Sequence, residues 1–378
     1  VRELWVFDST GRHLQTLDEQ TGTVLYAFSY DANGLLVGVT DRDGLVTTIE
    51  RTTQGDATAI VGPYGERTEL SMNGDGLLEE VQRADDAHEN FTYVDADGLM
   101  ASMTDPRGGG HHFTYDALGR LTSDQDPSGA TQTLVRSHTT DGSVRVARST
   151  PEGRTATYDS SHVGDTDARK VTRPDGASAS SSTSFGDGTV TKRDGTTIRR
   201  FTEPDPRFGP SVLVDDRVVT QLPFGASRTT QKHRSVTLDS NGALLSDVRT
   251  MIVNGTRTTT SSWSASTNTV VTTSPEGRVT QTLEDESGRP LQITSGSLLP
   301  ISIGYDGNHR PISIVQGARE TTLSYGPDGR VATITDPAGR PTAFTRDAVG
   351  RVTESDLPGG RSVLLSYDES DNLTSLTP

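Results

Sequence analysis

The residues best equipped for chemistry in this chain are carboxylates spaced two apart in glycine-closed turns, and one adjacent pair of histidines. Asp95-Ala96-Asp97-Gly98 opens like a calcium-binding loop. The twelfth position counted from Asp95 is Pro106, where such a loop requires a bidentate glutamate. Asp side chains that accept hydrogen bonds from turn amides explain these residues without an ion. His111-His112 could offer imidazole to zinc, but neighbours in a strand point to opposite faces, and the chain has no cysteine to complete a site. No Gly-x-Ser-x-Gly occurs for a nucleophile. Gly108-Gly109-Gly110 lacks the Lys-Ser/Thr that a phosphate-binding loop needs. The residues therefore point to no enzyme, no metal centre and no cofactor.

What positions these aspartates and glycines is a repeat. Tyr115-Asp116-Ala117-Leu118-Gly119-Arg120 returns as Tyr30-Asp31-Ala32-Asn33-Gly34, as Tyr93-Val94-Asp95-Ala96-Asp97-Gly98, and as Tyr305-Asp306-Gly307-Asn308-His309-Arg310. Further copies are Tyr325-Gly326-Pro327-Asp328-Gly329-Arg330, Asp347-Ala348-Val349-Gly350-Arg351 and Tyr367-Asp368-Glu369-Ser370-Asp371-Asn372. A second motif, Asp126-Pro127-Ser128-Gly129, returns as Asp105-Pro106-Arg107-Gly108 and Asp336-Pro337-Ala338-Gly339. Gly98 to Gly119, Gly329 to Gly350 and Gly108 to Gly129 are each 21 residues. A fixed period of this size is the signature of a repeat architecture.

Each motif has a local reading. In Tyr-Asp-x-x-Gly-Arg the Asp accepts turn amides and the Gly supplies the positive φ of a short, bulged hairpin. In Asp-Pro-x-Gly the Pro presets φ and the Gly relaxes the last position. Between them lie β-branched or aromatic runs such as Val331-Ala332-Thr333-Ile334-Thr335. One repeat is two short strands and two turns, and repeats side by side make a ribbon of antiparallel hairpins. The Arg after the Gly (Arg12, Arg120, Arg330, Arg340, Arg351) is expected to reach an Asp of the adjacent hairpin. The Tyr column is expected to stack across neighbouring strands.

Six of the nine tyrosines, Tyr30, Tyr93, Tyr115, Tyr305, Tyr325 and Tyr367, hold the repeat's Tyr position. On these motifs the chain resembles the YD-repeat proteins, which include bacterial Rhs proteins, the cocoon-forming components of insecticidal toxin complexes, and the shell of the teneurins. The resemblance implies an all-β fold: a hairpin ribbon coiled into a hollow, barrel- or cocoon-like β-shell without significant helix. In bacterial members such a shell holds a toxic C-terminal segment; in teneurins it is an extracellular scaffold in cell adhesion. The aspartyl-protease-like core that ends bacterial shells is not found, nor is a toxin module, so autoproteolysis is carried over to no residue.

Composition agrees with a wall. The 378 residues are 31% apolar and 5% aromatic, well short of the near-half apolar content of globular domains. Either disorder or a thin wall with a large wetted surface fits this, and the regular turns favour the wall. At about 4.8 Å per strand, the ribbon would be roughly 170 Å long and would bend into a ring about 55 Å across. The net charge of −16 disfavours nucleic acid as a partner. No apolar run spans a bilayer, and Val1-Arg2-Glu3-Leu4 is not a signal peptide.

Regular repeats are expected over 1–135 and 301–378, and divergent ones over 136–300, where insertions would be absorbed in turns. Ser178 to Ser184 reads as a loop or a weakly specified polar strand. Thr202 to Pro210, with three prolines, reads as an irregular loop. The simplest organisation is one continuous region, 1–378, as a fragment of a longer secreted or cell-surface protein. Its expected partner is a C-terminal cargo of the same parent chain. The alternative is a scaffold that binds a cell-surface protein or glycan through its outer face, for which Trp5 and Trp263 are the few indole platforms.

Overall fold

A computed structural model describes residues 3–378; Val1 and Arg2, which enter the leader reading, lie outside them. Among the described residues there are 34 β-strands and no helix. The chain forms two compact units, one of Val1–Gly110 with Thr282–Pro378, the other of His111–Gln281. Within each, consecutive strands pair antiparallel through short turns, as in Gly110–Tyr115 with Leu121–Gln125 and that strand with Thr131–His138.

One turn construction recurs along the chain, interrupted by two-residue hairpins such as those between Val163 and Thr166 and between Ser184 and Asp187. The N–H of Asp116 donates to the Arg120 carbonyl at 2.9 Å, and that of Gly119 to the Asp116 carbonyl at 2.9 Å. This pair closes a type I turn whose last residue is left-handed and enters the partner strand as a bulge. The register accordingly slips between Thr114 and Tyr115, where Tyr115 faces Leu121. Gly119 sits at φ 72°, a region that penalises a Cβ. In the 306–310 turn the left-handed residue is His309, at φ 60°, and not Gly307. The slot is set by its place three residues after the first residue of the turn, and Asp86, after Arg83, and Asp371, after Asp368, fill it elsewhere.

The divergent stretch stays in this scheme, but it grows in its strands and not in its turns. Thr131–His138 and Thr155–Val163 have 8 and 9 residues, while the turn at Thr139 keeps both its hydrogen bonds. Adding residues to facing strands preserves the ladder, whereas an insertion inside the turn would break its closure. Ser178–Ser184 is a strand, paired along its length with Thr166–Thr172. The proline-rich stretch is also largely strand: Thr197–Asp205 continues through Pro204, which faces Leu213, and Gly209–Gln221 includes Pro210. The register slips between Pro204 and Asp205, a bulge at which proline is tolerated.

A single layer of sheet leaves little interior. The apolar residues buried outright are Ala59, Ala87, Ala156, Val214, Leu244 and Trp263. The accessible surface is 22367 Å², whereas two compact domains of half this mass would expose roughly 17,500 Å². The thin-wall alternative holds, and most strands alternate half-buried and exposed positions, as in Val279–Glu284.

Beside Ala156, Val214, Leu244 and Trp263, the second unit also buries charge. Arg234 donates from Nη1 to Asp205 Oδ2 at 2.7 Å and from Nη2 to Asp247 Oδ2 at 2.8 Å, with all three side chains at most 5% exposed. Asp205 Oδ1 also accepts the backbone N–H of Arg207 and of Phe208. Burial works to raise the Asp205 pKa, but these amides and the guanidinium outweigh it and hold the carboxyl below its ordinary value. Removing one member of such a set strands the others. Arg234→Ala is expected to destabilise the second unit by about 3–5 kcal/mol in urea unfolding; a loss below about 1 kcal/mol would show that the network contributes no more than a surface pair.

Candidate functional site

The turns carry the chain's recurrent polar machinery. Asp116 Oδ1 accepts the backbone N–H of Leu118 at 2.9 Å and of Arg120 at 3.0 Å, while Oδ2 accepts Arg120 Nε at 2.8 Å. The Arg120 guanidinium first, and its backbone N–H next, hold the Asp116 carboxyl down at about 2. The same closed pair forms at Asp306–Arg310, Asp336–Arg340 and Asp347–Arg351. The arginine returns to the Asp of its own turn, because the bulge brings the fifth residue back over the first, and Arg351 also reaches Asp371 of the next Tyr-Asp turn, as expected for the adjacent hairpin. Arg330 differs, since Gly326 stands where the Asp would be; it pairs with Asp328 and Glu66. Pro127 and Gly129, and Pro337 and Gly339, lie in turns capped by Asp126 and Asp336.

The tyrosines do not stack on one another. Each reaches back one repeat, donating its hydroxyl to the carbonyl of the residue that begins the strand after the preceding turn. Tyr30 bonds His13 O at 2.8 Å, Tyr93 bonds Leu78 O at 2.7 Å, Tyr305 bonds Pro290 O at 2.8 Å, Tyr325 bonds Pro311 O at 2.7 Å and Tyr367 bonds Val352 O at 3.0 Å. Tyr115 ends the strand Gly110–Tyr115 in the equivalent place. Arginines of the preceding turn lie over several of these rings, with Arg310 4.2 Å from the Tyr325 centroid and Arg351 5.1 Å from that of Tyr367. Arg330 instead covers Gly350, where a Cβ would meet its Cζ at 2.2 Å.

Two members of this column escape a search for tyrosine. Arg51 donates from Nη2 to Leu36 O at 3.0 Å, and Arg346 from Nη2 to Val331 O at 3.4 Å. Both carbonyls occupy the tyrosine's acceptor position. Spacing was the available signal, because Tyr30 to Arg51 and Tyr325 to Arg346 are each 21 residues.

Within the first unit, the runs 3–110 and 282–378 meet turn to turn, in step. Thr23 Oγ1 donates to Glu286 O at 3.2 Å. Arg289, 7% exposed, bridges its own Asp285 to Asp43 Oδ1 at 2.6 Å. His309 of the next turn also lies 3.3 Å from Asp43, and one repeat beyond that the Tyr64 ring covers Gly329 and Arg330 reaches Glu66 at 3.4 Å. Next, Arg351 contacts Asp85 at 3.2 Å, and Arg83 pairs with Asp371 while donating to Glu369 O at 2.7 Å. Last, Arg107 reaches Asp368 at 3.4 Å. Asp-Pro-type turns of one run thus face Tyr-Asp-type turns of the other. Sequence reading missed this seam, since its partners stand 246 to 288 residues apart.

The sites weighed for metal are placed differently. Asp95 accepts the Asp97 N–H at 3.0 Å within its own turn. His111 lies 3.4 Å from Asp124, while its neighbour His112 is exposed. Trp263 is buried and Trp5 is 65% exposed.

A tandem β-hairpin wall, with Tyr-Asp turns capped by their own arginines, is the class these features define. A family model described as the teneurin YD-shell matches residues 1–378, and the chain belongs to that family. It is 24% identical to mouse (Mus musculus) Teneurin-4 over 381 residues, all of this chain but 14% of the relative. It is also 24% identical to Teneurin-m of Drosophila melanogaster over 401 residues, 15% of that protein. The chain thus spans only about a seventh of these relatives. Among solved structures, the crystal structure of TcdB2-TccC3 without its hypervariable C-terminal region superposes with a TM-score of 0.52 at 14% identity, covering 99% of this chain and 23% of that one. That likeness shows the fold.

Two outcomes test the turns and the seam. Gly129 and Gly329 are both left-handed, at φ 85° and 71°, but only Gly329 has a neighbour, the Tyr64 ring, 2.2 Å from a built Cβ. Gly129→Ala is expected to lose about 1–2 kcal/mol through the backbone alone. Gly329→Ala should lose about 1–3 kcal/mol more through displacement of Tyr64, and equal losses in urea unfolding would contradict the seam. The second outcome concerns acid. Asp116 and Asp141, held at about 2 by Arg120 and by the Thr139 hydroxyl respectively, sit below the unfolded value of about 3.9. Their contribution is present above pH about 4 and is lost as pH falls towards about 2, because the unfolded chain takes up protons first. Glu284, raised by burial and then by Asp18 and Asp285, acts in the opposite sense but stands alone. Melting temperature should therefore fall between pH about 4 and about 2; a rise on acidification would refute the assignment.

Proposed function

We propose that this chain is part of the wall of a YD shell that encloses a polypeptide cargo in a secreted or cell-surface protein. The whole chain, 1–378, is read as one continuous YD-repeat region of that wall. The observation that carries this reading is the in-step seam within the first unit. A ribbon whose distant turns meet repeat by repeat makes a wall without open gaps, which containment requires and a flexible tether does not.

A wetted, polar sheet face supports the same role. An unfolded or loosely folded cargo must be held without tight binding, and a wall that buries few apolar residues offers little to bind it. The solved structure this chain resembles is described as lacking a hypervariable C-terminal region, and a variable segment after a constant shell is the arrangement proposed here. The chain itself acts as a container and not as an enzyme.

A second reading, an extracellular scaffold engaging a partner through its outer face, is favoured by exposed aromatics at two turns of the second unit, Phe185 at 76% and Phe224 at 80%. Limited proteolysis of the parent chain, followed by mass spectrometry of the segment after Pro378, separates the two. Containment predicts that this segment survives in the folded protein and is degraded after denaturation. If it is cut as fast as free peptide, containment fails and the scaffold reading leads.

A further inference from the structure

We propose that the second unit holds a zinc-class divalent cation between Glu203, Asp216 and His233. Their ligand atoms, one carboxylate oxygen from each acid and one imidazole nitrogen, lie within 4.8 Å of one another. They come from three successive strands, Thr197–Asp205, Gly209–Gln221 and Ser227–Leu238.

The backbone brings them together through an irregularity in the sheet. Phe201 faces Arg217 and Thr202 faces Asp215, so Asp216 is the extra residue of a β-bulge. A bulge re-aims the side chain it displaces. On the other side, the ladder between the second and third strands ends at Arg217 and Gln231, two residues before His233. The second and third strands are thus unpaired beside Asp216 and His233, while Glu203 stays paired with Val214 and His233 with Thr250 on its other side, and the gap in this one ladder leaves room for an ion.

Several neighbouring charges are already paired, and Arg217 beside Asp216 lays its guanidinium over the Phe201 ring at 4.2 Å. Asp215 takes Lys232 at 2.8 Å and Arg200 at 3.2 Å, and Arg234 bridges Asp205 and Asp247. Glu203, Asp216 and His233 themselves make no hydrogen bond or ion pair among the described residues. Two carboxylates side by side with no cation repel each other, and a divalent ion removes that repulsion.

The donor set selects the class of ion. Calcium and magnesium take all-oxygen shells, whereas one imidazole with two carboxylates suits zinc and its first-row neighbours. Donors of a tetrahedral zinc site stand about 3.4 Å apart, given metal–ligand distances of about 2.1 Å. From a separation of at most 4.8 Å, rotation of the exposed His233 and half-buried Glu203 closes the remainder. A water completes the shell, and the ion fastens three strands where their ladder is interrupted.

The experiment uses the purified chain, stripped with a chelator and titrated with ZnCl₂ by calorimetry, with melting temperature read in parallel. One equivalent should bind and raise the melting temperature, while CaCl₂ does neither. His233→Ala and Asp216→Asn should each weaken zinc binding by more than the ~10–100-fold that loss of an outer-shell partner costs. Both side chains lack protein partners, so circular dichroism of the variants should match the parent. Co²⁺ in place of Zn²⁺ should give a visible absorption band that His233→Ala abolishes. No zinc binding by the parent chain, or unchanged binding by both variants, overturns the site.

Discussion

The carboxylate at the head of the Asp-capped turns is the interaction on which this wall is built. In each Asp-capped turn the side chain gathers two backbone N–H groups on one oxygen, as Asp116 does with Leu118 and Arg120. The second oxygen is then free for the arginine that the bulge returns to it. A sheet one layer thick cannot draw on a buried core, so its geometry must be fixed where the chain reverses. The turn does this locally, with groups no more than four residues apart, and so it can be repeated without long-range information. Measured as isolated surface pairs, such contacts contribute about 0–1 kcal/mol each. Their weight here comes from closing every reversal at the same register.

From that turn the next level follows. A capped turn places its arginine over the ring or glycine of the following repeat, and places the first carbonyl of the outgoing strand within reach of the next tyrosine. The tyrosine couples neighbouring repeats through hydroxyl and backbone, and this explains why arginine can replace it at Arg51 and Arg346. Both side chains are long, and both can donate to a fixed carbonyl. A phenylalanine would fill the space without making the bond. Where the repeat loosens, a different device appears: the strands lengthen and a buried Asp205–Arg234–Asp247 set forms. Burying an ion set rarely adds stability over a packed apolar cluster, but it binds three strands in a single arrangement.

Much of this was legible in the sequence. The all-β ribbon, the hairpin turns, the thin wall and the family could be read from Asp-x-x-Gly motifs at 21-residue spacing and from low apolar content. The errors share a cause. The arginine was assigned only to a neighbouring hairpin, which Arg351 does reach, because sequence spacing does not reveal that the bulge also folds the fifth residue over the first. The tyrosines were expected to stack, because strand spacing does not reveal that their hydroxyls reach back to a backbone carbonyl. The proline-rich stretch was read as loop because a bulge that tolerates Pro204 cannot be seen until the partner strand is placed.

The sequence by itself determined what is local: where each hairpin turns, which side chain caps it, and that no core of ordinary size could form. These depend on φ preferences and on hydrogen bonds spanning at most four residues, and such interactions are encoded wherever the motif is written. Only the tertiary structure decided which turns meet across the first unit, so that Arg289 finds Asp43 and Tyr64 covers Gly329. It alone brought Glu203, Asp216 and His233 together. Those contacts depend on strand curvature summed over many repeats and on the position of single bulges, and no periodic motif records either quantity.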